Sequence, residues 1–162
     1  MSLREYEMVM KSVADPTRVR ILKLLEAGEM CVCQVVAVLE LSQSTISKHL
    51  FLMKMAGLVR ERQEKKWVHY SLGGSEGIPY ARKMLAMLKG WLNDDPVIER
   101  DRKREALARE IGPVGICERG MTLPARRAAA CCPAPGESAS MPSIVPAAFA
   151  AGRPRPTRRC LE

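Results

Sequence analysis

The chain has 162 residues, a net charge of +8 and a pI near 9.4, which fits an anionic partner such as nucleic acid. No run approaches the roughly 18 consecutive apolar residues that a membrane span requires, and the opening MSLREYEMVM is charged where a secretory leader needs an apolar centre. These features predict a cytoplasmic protein that does not enter a membrane. Its six cysteines, at 31, 33, 117, 131, 132 and 160, are then expected as reduced thiols or ligands rather than a disulfide framework.

Leu3, Tyr6, Met10 and Val13 recur at helical spacing and predict a first amphipathic helix. Asp15-Pro16 announces the next helix, with Asp as N-cap and Pro at the first position, where its missing N–H costs nothing. Val19, Ile21, Leu22, Leu24 and Leu25 follow, and Gly28 marks the stop. Two short helices come next, about 31–39 and, after Ser42 as N-cap, to about Ala56. Ile46, Leu50 and Met53 form the buried stripe of the second. Gln43, Ser44, Thr45, Ser47, Lys48 and His49 are then expected to face outward as the groove and phosphate contacts of a recognition helix. Gln43 and Ser44 suit base edges, and Lys48 suits a phosphate.

From Leu58 the period shifts to that of strands. LVRERQ and WVHYSL flank a basic tip, the pattern of a β-hairpin wing, with Arg62, Lys65 and Lys66 expected along the DNA backbone and Arg18 and Arg20 as phosphate contacts or plain surface charges. A helix is expected from Ser75 to about Leu92, carrying Ala81, Met84, Leu85, Leu88 and Leu92 on one side. With the first helix it reads as a dimer seam. A two-fold dimer places its recognition helices about one turn of DNA apart, which implies a double-stranded, inverted-repeat operator.

The expected organisation is a mainly α winged helix-turn-helix domain over 1–95, a helical extension over 96–110, and a disordered tail over 111–162. The tail holds eight of the eleven prolines, an Ala-rich run and no sustained period.

Asp15-Pro16-Thr17-Arg18, the string from Leu41 to Leu50, Ala56-Gly57-Leu58-Val59 and Trp67-Val68-His69-Tyr70 closely resemble the ArsR/SmtB family of metal-sensing repressors, over about the first 95 residues. The resemblance implies a homodimeric repressor that leaves its operator when a metal or metalloid binds. Within it, Glu29-Met30-Cys31-Val32-Cys33 is similar to the Glu-Leu-Cys-Val-Cys-Asp-Leu box of members responsive to arsenic and antimony. Gln34-Val35 stands where those have Asp-Leu. The implied effector is As(III) or Sb(III), held by Cys31 and Cys33, with Cys117, Cys131, Cys132, a small thiol or water as third ligand. Cys160 has no assigned role.

Thiolates select thiophilic ions, and a helix N-terminus lowers a thiol's pKa. Residues i and i+2 of a regular helix lie about 200° apart around its axis, so joint ligation is expected to require distortion of the first turn. A zinc site is disfavoured, since the two histidines are His49 and His69. Cadmium- and lead-responsive relatives add an N-terminal cysteine, which residues 1–30 lack. The alternatives are a cadmium or lead sensor, a repressor in which Cys31 and Cys33 form a redox pair, and, from another class, an enzyme or metalloid carrier using the tail thiols. No nucleophile, base and orienter set, phosphate loop or cofactor motif supports the last.

Overall fold

A computed structural model describes residues 2–73 and 78–124, all within one compact unit. The chain order is α1 (Leu3–Val13), α2 (Pro16–Leu25), β1 (Met30–Cys31), α3 (Val32–Leu39), α4 (Gln43–Met55), β2 (Val59–Glu64), β3 (Trp67–Leu72), α5 (Pro79–Lys89) and α6 (Pro96–Glu118).

Helix starts follow local chemistry. Ser2 and Glu5 form a reciprocal capping box, the Asp15 carboxylate accepts from the Arg18 N–H at 3.1 Å, and the Ser42 hydroxyl accepts from the Thr45 N–H at 3.2 Å. Gly57, at φ +70, turns the chain out of α4 into the wing, a conformation in which a side chain would be strained.

The core is built where α2, α3 and α4 meet. Ile21, Leu22, Val35, Ile46, Leu50, Met53 and Leu58 are completely buried there, so the expected stripe of the second helix is the one that packs. Ser42 to Met53 thus presents its polar first turn on the opposite side.

The wing is a hairpin with β2 and β3 antiparallel from Val59 opposite Leu72 to Glu64 opposite Trp67. A third strand, unforeseen in the sequence, completes it: β1 pairs antiparallel with β3, Met30 opposite Tyr70 and Cys31 opposite His69. Two residues are too few to show a period, so only the tertiary pairing reveals it.

Three expectations change at the C-terminal side. The helix expected over 75–92 is the shorter α5, preceded by Ile78 and Pro79, and residues 74–77 lie outside the described residues. The extension expected over 96–110 is a separate helix, capped by Asp95 with Pro96 at its first position. That helix also runs past Glu110 into the segment read as disordered tail. Gly112, at φ +77 and ψ 166, breaks it, Pro113 follows, and helical turns continue to Glu118. Proline and glycine here re-aim a helix instead of ending it. The rest of the expected tail, with Cys131, Cys132 and Cys160, lies outside the described residues from 125 onward. Among the described residues no helix is long and apolar enough to cross a membrane.

Two basic residues offered as phosphate contacts are structural ties. Arg18 donates to the carbonyls of Ser12 at 2.6 Å and Lys11 at 2.8 Å, satisfying the open end of α1. Arg20 makes a two-pronged pair with buried Asp101 of α6, at 2.6 and 3.0 Å. Lys23, almost fully buried, reaches Glu26, the Leu88 carbonyl and Asn93 at 2.7, 3.2 and 3.0 Å.

Candidate functional site

Cys31 is the last residue of β1 and the N-cap of α3, with extended φ −73 and ψ 148. Cys33 lies one residue inside the helix. The opposition of i and i+2 around a helix axis therefore never arises. The two Sγ atoms already stand 3.0 Å apart, the Cys33 thiol donating to Cys31. Both are free thiols and both are buried. The expectation that joint ligation must unwind the first turn fails, because the first cysteine is outside the turn.

The hydrogen bond from Cys33 stabilises a thiolate on Cys31 and is the largest reason its pKa falls to about 6; backbone N–H groups of Cys33 and Val32 and the nearby His69 act in the same direction against burial. Cys33 shifts the other way: it keeps its proton because that proton holds the thiolate, and burial and Cys117 add to the effect. The pair thus favours a thiolate on Cys31, a soft donor, with the proton kept on Cys33.

Cys117 belongs to the turns of α6 beyond the Gly112 break and packs against the same core cluster as Cys31 and Cys33. One helical turn before it, the Pro113 carbonyl lies 3.7 Å from the Cys33 sulfur. Among the described residues no three His, Cys, Asp or Glu side chains are already drawn together closely enough to hold an ion. The two-thiol pair is the formed part of the site.

Gln34 secures that pair. Its Oε1 accepts from the Cys31 N–H at 3.0 Å and its Nε2 donates to the Ala108 carbonyl at 2.9 Å, with the side chain buried between α3 and α6. An aspartate, acceptor-only when ionised and one carbon shorter, has no N–H for the second bond. Arg104 adds two bonds from α6 to the final carbonyls of α3, Val38 at 2.7 Å and Ala37 at 2.8 Å. Arg109 reaches the carbonyls of Glu29 and Gly28, both at 3.0 Å. The ties to α6 were not visible in the sequence, since their partners are some 66 to 81 positions apart.

On the other face, α4 exposes Gln43, Ser44, Ser47 and Lys48 at its start. Thr45 is half-buried, with its hydroxyl 2.8 Å from that of Ser42. His49 departs from the expected outward placement: it is partly buried and its Nδ1 has no hydrogen-bond partner. Lys65 occupies the hairpin tip at φ +53, and the Lys66 ammonium sits 5.2 Å above the Trp67 ring centre. Arg62 is exposed but engaged, bridging Glu29 at 2.6 and 3.2 Å and Glu64 at 2.7 Å. Its first partner lies two residues before Cys31, so it tethers the wing to the thiol segment.

Residues 15–61 match the model of the family described as bacterial regulatory protein, arsR family. The arsenical resistance operon repressor of Escherichia coli K12 is 49% identical over 63 residues, which cover 38% of this chain and 54% of that protein. The arsenic resistance transcriptional regulator ArsR1 of Pseudomonas putida is 40% identical over 96 residues, covering 54% of this chain and 72% of that one. The cadmium resistance regulatory protein CadC homolog of Staphylococcus aureus is 46% identical over 65 residues, covering 40% and 54%. The chain thus spans about half the length of the first and third of these relatives, and most of the second.

Proposed function

This chain belongs to the ArsR family of bacterial regulatory proteins, and from that premise we propose that it is a cytoplasmic transcriptional repressor whose Cys31 and Cys33 bind trivalent arsenic or antimony and so release operator DNA. The observation that carries this reading is the position of the thiol pair. It lies at the joint between the wing, through the pairing of Cys31 with His69, and the helix-turn-helix, through α3.

The donor set fits a thiophilic ion: two sulfurs 3.0 Å apart, one of them favoured as the thiolate by the hydrogen bond from the other. Bound there, the metalloid supplies strong bonds to sulfur that prefer one placement of Cys31 relative to Cys33. A change in that placement moves β1 against β3 and the N-cap against α3. Operator affinity falls to the extent that the effector prefers the altered form.

In the DNA-bound form, Gln43 and Ser44 meet base edges, and Ser47 and Lys48 meet groove and phosphates from the start of α4, with Thr45 and His49 behind them. Lys65 and Lys66 follow the backbone from the wing. Arg62 acts chiefly on the wing's attachment. The functional unit is a homodimer: Leu3, Tyr6, Met87, Trp91 and Leu92 remain exposed along α1 and the end of α5, an apolar set that a second copy would cover. The operator is then an inverted repeat of double-stranded DNA.

The test is fluorescence anisotropy of the reduced protein on a labelled fragment of its own promoter, with and without arsenite, beside a Cys31→Ser/Cys33→Ser variant. Arsenite is expected to release the wild type and leave the variant bound. Release of neither overturns the assignment. Peroxide, cadmium and lead in parallel wells distinguish the other inputs: the closeness of the thiols favours peroxide among them, and the S. aureus relative favours cadmium.

A further inference from the structure

The part of α6 beyond Gly112 has no role in DNA contact, yet it is turned so that the Pro113 carbonyl lies beside the Cys33 thiol. In a straight helix, Cys117 would lie about 13 Å further along the axis than Ala108, at 1.5 Å per residue. Ala108 is the residue bound by Gln34, the neighbour of Cys33. The break at Gly112 re-aims the chain instead, so that the Pro113 carbonyl lies 3.7 Å from the Cys33 sulfur and Cys117 follows one helical turn later.

The break is built to hold. Gly112 has φ +77 and ψ 166, a region open essentially to glycine alone. Nothing lies within 4 Å of where its Cβ would be, so its requirement for glycine is one of backbone and not of space. Beyond it, Ile116 is fully buried, and its carbonyl accepts from the Met121 N–H at 2.9 Å, closing the terminal turn.

We propose that Cys117 is the third protein ligand of the effector, so that the complete site is the trithiolate Cys31, Cys33 and Cys117, joining the N-terminus of α3 to the folded-back end of α6. This rests on the reading of Cys31 and Cys33 as effector ligands. Arsenite, As(OH)3, exchanges its three hydroxyls for three sulfurs. With Cys31 as thiolate and the other two as thiols, two S–H and three As–O bonds break, three As–S and three O–H bonds form with the third proton taken from solvent, and three waters leave with no change of oxidation state. Three sulfurs saturate the preferred coordination of a trivalent pnictogen, which two alone leave open. Because the end of α6 already lies beside Cys33 but no three thiols yet stand close enough to hold an ion, binding closes the remaining gap between Cys117 and the pair. That motion adds to the signal arising at β1.

The experiment is X-ray absorption at the arsenic edge, together with equilibrium dialysis, on the reduced full-length chain loaded with one equivalent of arsenite. Three sulfurs around arsenic are expected in the wild type and in a Cys131→Ser/Cys132→Ser/Cys160→Ser variant. Two sulfurs and one oxygen are expected in Cys117→Ser, with affinity lower by about tenfold or more, the loss that even an outer partner of a metal ligand produces. Gly112→Ala, which keeps every thiol, is expected to weaken retention in the same direction while circular dichroism shows the fold intact. Three sulfurs persisting in Cys117→Ser, or two in the wild type, overturns the proposal. Retention unaffected by Cys31→Ser/Cys33→Ser overturns instead the assignment beneath it.

Discussion

Gln34 offers the sharpest test of how the thiol pair is held. Replacement by alanine leaves two buried backbone groups without partners, the Cys31 N–H and the Ala108 carbonyl, since residues 31 and 108 are 3% and 0% exposed. At about 1–3 kcal/mol for each orphaned group, the loss is at least about 2 kcal/mol before any lost packing is added. At roughly 3–5 °C per kcal/mol for a unit of this size, Tm falls by about 6–10 °C. Gln34→Glu separates the two bonds, because the carboxylate still accepts from Cys31 but turns a second acceptor toward the Ala108 carbonyl. Burial beside that oxygen raises its pKa above the unfolded value. A raised carboxylate pKa means full stability below the unfolded value, lost as pH rises through the folded one. Gln34→Glu is therefore expected to approach wild-type stability near pH 4 and to fall behind it near pH 7, while Gln34→Ala stays low at both. Thermal unfolding followed by circular dichroism at the two pH values reads this directly. A Gln34→Ala loss under about 2 °C, or no pH dependence in Gln34→Glu, would refute the bridging role.

Other expectations follow from single contacts. Tyr70 is held neutral up to about 12, by burial first and then by its hydrogen bond to Glu61 at 3.0 Å; tyrosinate absorbance should show a late step that Tyr70→Phe removes. Because that folded pKa is raised, the contribution of Tyr70 is whole below pH 10 and is lost as pH climbs toward 12. One common step for all three tyrosines in the folded protein would contradict this. Arg20→Ala leaves the buried Asp101 carboxylate with only the exposed Arg100 at 3.8 Å as a partner, at a cost of about 3 kcal/mol in denaturant unfolding, whereas Arg20→Leu/Asp101→Leu should recover much of it; a double variant no better than the single one would show that the pair is not the cause. Lys48→Ala should weaken DNA binding on any sequence and reduce the salt slope by about 1, while Gln43→Ala should relax preference at one base position. Equal salt slopes for wild type and Lys48→Ala would remove Lys48 from the phosphate contacts.

What could be read beforehand divides along sequence separation. Asp15, Ser42 and the stripe Ile46, Leu50, Met53 were legible because capping and helical burial are settled within one or two turns. The outward start of α4 followed from the same periodicity. His49 did not conform, as the last of the polar run already sits where the helix turns back toward the core. The basic residues misled for a different reason: charge alone cannot separate a solvent-facing arginine from Arg20, whose partner is 81 positions away. The end of α6 was lost to composition, since Gly112 and Pro113 read as punctuation, although one broken turn suffices to redirect a helix.

The same separation explains how a site of two or three thiols can act on DNA. The motif at 31 and 33 points to the proposed donors, but donors alone give no signal. The coupling resides in contacts the motif does not contain: β1 against β3, Arg62 across to Glu29, and Gln34 and Arg104 from α3 to α6. Each joins a thiol-bearing segment to an element that positions either the wing or the helix-turn-helix. Under the proposed function, an effector that rearranges Cys31 and Cys33 disturbs at least one of these ties, because Cys31 is at once a strand residue, a helix cap and the proposed ligand. Sensing and DNA placement are inseparable in that residue, and a substitution preserving its sulfur while breaking its strand pairing should uncouple binding from release.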